Sequence, residues 1–149
     1  AEVGVDGIIV ADLPPEEGEA FYHAAEQRGI DPVLLAAPTT SDSRLQLLSG
    51  RTRGFLYYVS LTGVTGARAE LARDLEANVA RIRKHSEIPV CVGFGISTPE
   101  HARLVGSFAD GVVVGSALVD RIEAAASKEA AVDAVAQFIS ALKAPLRPA

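Results

Sequence analysis

Five short apolar runs punctuate this sequence, and none of them alternates polar with apolar residues. They cover 7–11, 33–37, 55–60, 90–92 and 111–114, and they are rich in Val, Ile, Leu and Tyr. A strand wetted on one side shows a period of two. Unbroken runs of this kind belong to strands covered on both faces, as in a parallel sheet under helices. Between the runs lie stretches with helical spacing. Segment 15–28 opens on Pro-Glu-Glu and closes at Gly29, with acids at its start and glycine just past its end. Segment 41–48 starts at a Ser/Asp cap and stops before Gly50. Within 71–85, Leu71, Leu75, Val79 and Ile82 recur every three or four residues. The pattern predicts a short helix after Pro99 and Glu100, another over 117–126 and a longer one over 131–142. The tail, 144–149, carries two Pro and is expected to fray.

Five strand–helix units in strict alternation dictate right-handed crossovers and a parallel sheet. Two architectures accommodate them. One is a complete five-stranded doubly wound sheet; the other is part of an eight-stranded (β/α)8 TIM barrel, which needs about 250 residues. The sequence has 149 residues, contains no Met, and begins inside what reads as a helix-to-strand joint. It is therefore expected to be a piece of a longer chain, and as a barrel it would lack its first three units. No low-complexity linker divides it, so residues 1–149 read as part of one domain.

Composition removes several functions. The net charge is −5 and the 14 Lys and Arg are scattered, which leaves no basic stripe for nucleic acid. No apolar run approaches a membrane span, and no targeting segment is recognisable. A single Cys91 cannot form an intrachain disulfide, so the reducing cytoplasm is the default compartment. One Cys and three separated His make a closed metal site of the Cys/His type unexpected.

The residues directly after the last three strands decide between the two architectures. Each of these strands runs into Gly and small hydroxyl residues: Thr62-Gly63-Val64-Thr65-Gly66, then Gly93-Phe94-Gly95-Ile96-Ser97, then Gly115-Ser116-Ala117. Glycine lets backbone N–H groups approach an anion closely, and a helix N-terminus offers such groups in register. Barrels commonly hold phosphate with the loops after their last two strands and a short extra helix. Gly95, Gly115 and Ser116 fall where that arrangement places them. Any one of these glycines alone is ordinary strand-to-helix punctuation; three in succession point to a phosphate site. A doubly wound receiver domain would want a Lys after the fifth strand, where this chain has Gly115 and Ser116.

At these residues the sequence resembles the tryptophan synthase alpha subunit family. The matching segments are Gly4-Val5-Asp6-Gly7-Ile8-Ile9-Val10-Ala11-Asp12-Leu13-Pro14, Tyr57-Tyr58-Val59-Ser60 running into Gly63-Val64-Thr65-Gly66, Gly93-Phe94-Gly95-Ile96-Ser97, and Val114-Gly115-Ser116-Ala117. They fall in order and span nearly the whole chain. The resemblance implies a barrel that cleaves indole-3-glycerol phosphate to indole and glyceraldehyde 3-phosphate without metal or organic cofactor. It implies phosphate binding by Gly66, Gly95, Gly115 and Ser116, and an indole pocket lined by Phe94, Tyr57 and Ile9. Thr65 would sit in a loop that closes over substrate and excludes water. Asp12 and Pro14 would lie near the surface that meets the beta subunit of a heterotetramer. The family's acid/base pair, a Glu ending the second strand and an Asp in the loop after it, belongs to barrel units this sequence does not contain. No residue here is expected to be catalytic, and the chain alone is expected to be inactive.

Plainer roles compete for several residues. Asp12 ends a strand beside Leu-Pro-Pro-Glu-Glu, so orienting the next helix or an interface suits it better than proton transfer. Tyr57 and Tyr58 are adjacent in a strand and must point to opposite faces; the resemblance assigns Tyr57 to the pocket and Tyr58 to packing. His23, His85 and His101 lie in polar helical stretches and are expected at the surface. Cys91 reads as a small buried hydrophobe, and the 68–73 region as a solvated loop and helix start. Two other functions stay open: a barrel enzyme for a different indole or ribulose phosphate, and a non-catalytic phosphate- or partner-binding module that hides its sheet edges by self-association.

Overall fold

The computed structural model describes residues 2–60, 68–93 and 95–146, with only the backbone described for 68–72. The elements alternate as the periodicity predicts. In order they are β1 (Gly7–Ile9), α1 (Glu19–Glu26), β2 (Asp31–Val33), β3 (Leu35–Ala36), α2 (Asp42–Arg51), β4 (Leu56–Val59), α3 (Arg68–Arg83), β5 (Val90–Gly93), α4 (Pro99–Gly106), β6 (Gly111–Val113), α5 (Ser116–Glu123) and α6 (Lys128–Lys143). Every strand pair is parallel, in the orders β1-β2 and β3-β4-β5-β6. Among the described residues the sheet does not close on itself.

The second predicted strand, 33–37, is observed as two pieces that meet at Leu34. The buried Thr52 hydroxyl accepts the Leu34 N–H at 3.0 Å and donates to the Phe55 carbonyl at 2.8 Å. The Leu34 carbonyl meanwhile accepts from the Tyr57 N–H. One residue thus leaves the ladder with its hydrogen bonds satisfied, and the strand passes from pairing with β1 to pairing with β4.

Side-chain alternation sorts the sheet into two faces. Leu56, Tyr58, Val90 and Val92 point outward and pack against Leu45, Leu48, Leu75, Val79, Ile82 and Val105 of the helical layer. Tyr57, Val59, Cys91 and Val113 point inward and stay half-exposed, while Ile9 on β1 is 42% exposed. The expectation that both faces of every strand are buried therefore fails for the inner face. A closed barrel covers that face with its opposite wall, which the described residues do not supply.

Helix boundaries differ from expectation where local chemistry overrides pattern. Residues 15–18 form a turn, with the Gly18 N–H on the Pro14 carbonyl at 2.9 Å, so α1 starts four residues later than predicted. Gly18 is required there, because a Cβ would lie 2.8 Å from Leu13 and 2.6 Å from the Tyr22 ring. Gly50 does not stop α2, which continues to Arg51. Ser127 caps α6 through the Ala130 N–H, so that helix starts at Lys128. Ala144–Leu146 form a 3-10 turn instead of fraying, and Leu146 packs over Gly106; residues 147–149 lie outside the described residues.

The three histidines do not behave alike. His23 is exposed and His85 half-buried, whereas His101 is only 8% exposed, on the face of α4 that also buries Ala102 and Val105. Its placement corrects the surface reading: α4 packs against both α3 and α6, which the polarity of its own sequence does not reveal. Asp110 joins three elements. It accepts the Val90 N–H at 2.8 Å and pairs with Arg83 at 2.9 Å, fixing the starts of β5 and β6 against the end of α3.

Candidate functional site

A cleft of about 400 Å³ opens at the C-terminal ends of β4, β5 and β6. Tyr57 and Val113 form its walls on the sheet side. Gly95, Ile96 and Ser97 of the turn after β5 lie across it, and Gly115, Ser116, Ala117 and Asp120 belong to the start of α5.

The helix end is the chemically distinctive part. Gly115 occupies the cap position of α5 and makes no side-chain cap, and the first turn of this helix holds no acid. By contrast, α1, α2, α4 and α6 carry Glu19, Asp42, Glu100 and Glu129 in their first turns. The leading N–H groups of α5, those of Ser116 and Ala117, have no intrahelical acceptor and sit at the positive end of the helix dipole. An anion is the natural partner for such a group of donors. A Cβ on Gly115 would meet nothing within 4 Å, so the space above the helix end is open.

Two other glycines shape the cleft. Gly95 has φ +74°, the left-handed conformation that favours glycine, and it turns the chain back toward the helix end. On β5, Gly93 gives the Tyr57 ring its seat: a Cβ there would lie 2.5 Å from Tyr57 Cε2 and 2.8 Å from Cζ. The register explains the contact, since Tyr57 pairs with Cys91 and leans across to the next inward position. Burial raises the Tyr57 pKa above its ordinary value, so its hydroxyl is a neutral donor near pH 7. Tyr58, on the outer face, is pushed up to about 12 by burial.

Asp120 is the one charged side chain among the lining residues. The neighbouring Arg121 is turned away: its guanidinium lies 3.5 Å from the centre of the Phe138 ring and bonds the Ala117 carbonyl. Anion recognition in this cleft would therefore rest on backbone N–H groups and hydroxyls.

Of the residues singled out from sequence, the structure brings Tyr57, Gly95, Gly115 and Ser116 to one cleft. Ile9 is not among its lining; it lies on β1, in the two-stranded sheet. Thr65, Gly66 and Phe94 lie outside the described residues. Asp12 and Pro14 are exposed in the turn after β1, beside a separate concavity of about 230 Å³ that Arg44 and Leu48 also line. Sequence reading overlooked Ile96, Ser97, Val113, Ala117 and Asp120 as lining. Asp120 was findable, being one helical turn beyond Ser116 on the same face. Among the described residues, no group of three or more His, Cys, Asp or Glu is placed to hold a metal ion, and no helix is long and apolar enough to cross a membrane.

Parallel strands with alternating helices and a cleft at the strands' C-terminal ends define part of a (β/α)8 barrel. The profile of the tryptophan synthase alpha chain family matches residues 1–147, and the chain belongs to that family. A protein from Aquifex aeolicus VF5 is 37% identical and superposes with a TM-score of 0.82 over 99% of this chain and 53% of its own. Tryptophan synthase subunit alpha from Legionella pneumophila is 35% identical, with a TM-score of 0.81 over 97% of this chain and 53% of that one. A chain from the tryptophan synthase α2β2 complex of Pyrococcus furiosus is 41% identical, with a TM-score of 0.80 over 95% of this chain and 56% of its own. The chain thus spans about half the length of these solved relatives.

Proposed function

We propose that this chain supplies the phosphate site and one wall of the indole pocket of a tryptophan synthase alpha subunit, acting in the cleavage of indole-3-glycerol phosphate to indole and glyceraldehyde 3-phosphate. The observation that carries this reading is the uncapped, acid-free N-terminus of α5 at Gly115 and Ser116, facing the Gly95 turn across one cleft. Gly95, Gly115 and Ser116 take the phosphate, and Tyr57 bounds the space for the rest of the ligand. Gly66, Thr65 and Phe94 join them by family resemblance, as further phosphate ligand, closing loop and pocket wall. Ile9 belongs to the indole pocket only if the sheet curls further than it does in this structure.

Binding energy from a phosphate remote from the breaking carbon–carbon bond is useful because it fixes the reacting end in place. No residue of this chain takes the acid or base role. Proton transfer to the indole ring and from the glycerol hydroxyl needs two positioned carboxylates, and these belong to barrel units that precede β1 in the family. Asp12 and Pro14 form part of the surface for a beta subunit, an assignment supported by their exposure beside a concavity that mixes leucines with the charged Arg44. The compartment is the cytoplasm, and no cofactor takes part.

Calorimetric titration with glycerol 3-phosphate tests the site. Gly115→Asp places a carboxylate over the helix end without a clash, because the space is open and φ is −115°. Two like charges about 5 Å apart at an effective dielectric near 20 repel by about 3 kcal/mol, a loss of more than a hundredfold in affinity. Unchanged binding by Gly115→Asp refutes the assignment. Release of indole from indole-3-glycerol phosphate by the 149-residue chain would refute the absence of an acid/base pair.

A further inference from the structure

We propose that Asp120 makes this cleft select a protonated phosphate monoester, by accepting a hydrogen bond from a P–OH group that a sulfate ester lacks. The inference rests on the phosphate reading of the cleft and adds the residue that sets its specificity. Asp120 lines the cleft together with Gly115, Ser116 and Ala117. It stands one helical turn beyond Ser116, on the same face of α5. Side chains on an α-helix lean toward its N-terminus, so the carboxylate is carried back toward the end that offers N–H groups to the anion. It is exposed, and among the described residues it has neither an ion pair nor a side-chain hydrogen bond.

The chemistry of the lining decides what such a group is for. Peptide N–H groups only donate, and the hydroxyls of Tyr57, Ser97 and Ser116 can donate as well. An ionised carboxylate only accepts. Beside a fully ionised anion it is a like charge and weakens binding. Beside an anion that still carries a proton it is a partner, because P–OH to carboxylate is a charge-assisted hydrogen bond. A phosphate monoester loses its second proton with a pKa of about 6, so in mildly acid solution a large share of it keeps that proton. A sulfate ester is fully ionised there and has no proton to give. The protonated phosphate ester and the sulfate ester then carry the same single charge on nearly the same shape, and they differ by the one proton that Asp120 reads. Asp120 also leaves the anion its donors: it lies too far along α5 to cap the leading N–H groups, and the helix has no side-chain cap. A carboxylate at position 115 would compete for those same groups, which is why the two positions have opposite effects.

Calorimetric titration at about pH 6, with glycerol 3-phosphate and with glycerol 3-sulfate, tests the proposal. The phosphate ester should bind about tenfold more tightly, near the low end for a hydrogen bond to a charged group. Asp120→Asn keeps the size and removes the charge, and Asp120→Ala removes the acceptor altogether. In both variants the preference should shrink to about twofold or less, chiefly because the sulfate ester gains affinity once the like charge is gone. Circular dichroism should be unchanged, since the side chain is exposed. Equal tightening of both esters would make Asp120 a plain repulsive charge and overturn the proposal. So would a preference that survives both substitutions, or a wild-type chain that binds the two esters alike. In each of those outcomes glycerol 3-phosphate still binds, and the phosphate site stands. A chain that binds neither ester, before or after substitution, refutes the phosphate site itself and the specificity assignment with it.

Discussion

Replacing Gly93 by Ala asks whether the Tyr57 seat is a determinant of the site. The new Cβ would sit 2.5 Å from Tyr57 Cε2 and 2.8 Å from Cζ, closer than real Cβ contacts come. Something must move, and the geometry says what. Val90 and Val92 hold β5 in the outer core with almost no exposure, so the strand cannot retreat. The half-exposed Tyr57 ring has the cleft beside it and swings in that direction. Overpacking a closed core costs about 1–3 kcal/mol; with an open cleft to receive the ring, the expected loss of stability is at the low end, about 1 kcal/mol. Ligand binding should suffer more, since the displaced ring occupies the cleft itself. Tyr57→Leu removes the atoms that clash. In a double-mutant cycle, Gly93→Ala should therefore cost less in the Tyr57→Leu background, with a coupling of about 1 kcal/mol. Urea unfolding measures the stabilities, and titration with a phosphate ester measures the cleft. Additive stabilities together with unimpaired binding by Gly93→Ala would refute the seat.

Thr52→Val keeps the shape of the side chain but leaves the buried Leu34 N–H without its acceptor; it should cost about 1–3 kcal/mol in urea unfolding, and Thr52→Ser clearly less. The pH dependence of stability should track Asp110, whose carboxyl is held below the ordinary Asp value first by the Val90 N–H and then by Arg83. A depressed carboxyl pKa stabilises the fold above the unfolded value of about 3.9 and loses that effect as pH falls through the native value. Because the side chain is 42% exposed, Asp110→Ala should cost only about 1 kcal/mol at neutral pH. The gap between the two proteins should close in acid, as read from urea midpoints across the acid range.

Sequence periodicity was enough to place five parallel strand–helix units, because burial against helices removes polar residues from strands such as Leu56–Val59 and Val90–Gly93. It was blind to the break at Leu34, which depends on a hydroxyl 18 residues away. It was equally blind to the burial of His101, which depends on two other helices closing over α4. At the cleft, Gly95 was readable because its left-handed turn is a backbone requirement that few other residues meet, and Gly115 because it falls directly between a strand and a helix start. Asp120 was missed because an acid in a polar helix resembles ordinary solvated surface. Ile9 was assigned to the pocket by family position alone, and in this open sheet it stands in a different part of the molecule from the cleft.

The phosphate reading is tested most directly at the donors themselves, by following backbone amide resonances while the 149-residue chain is titrated with glycerol 3-phosphate. Saturable shifts should fall on the amides of Gly66, Gly95, Gly115, Ser116 and Ala117 and their immediate neighbours, and should be absent in Gly115→Asp. Shifts that do not saturate, or that saturate at another surface and leave the start of α5 unmoved, would contradict the phosphate site.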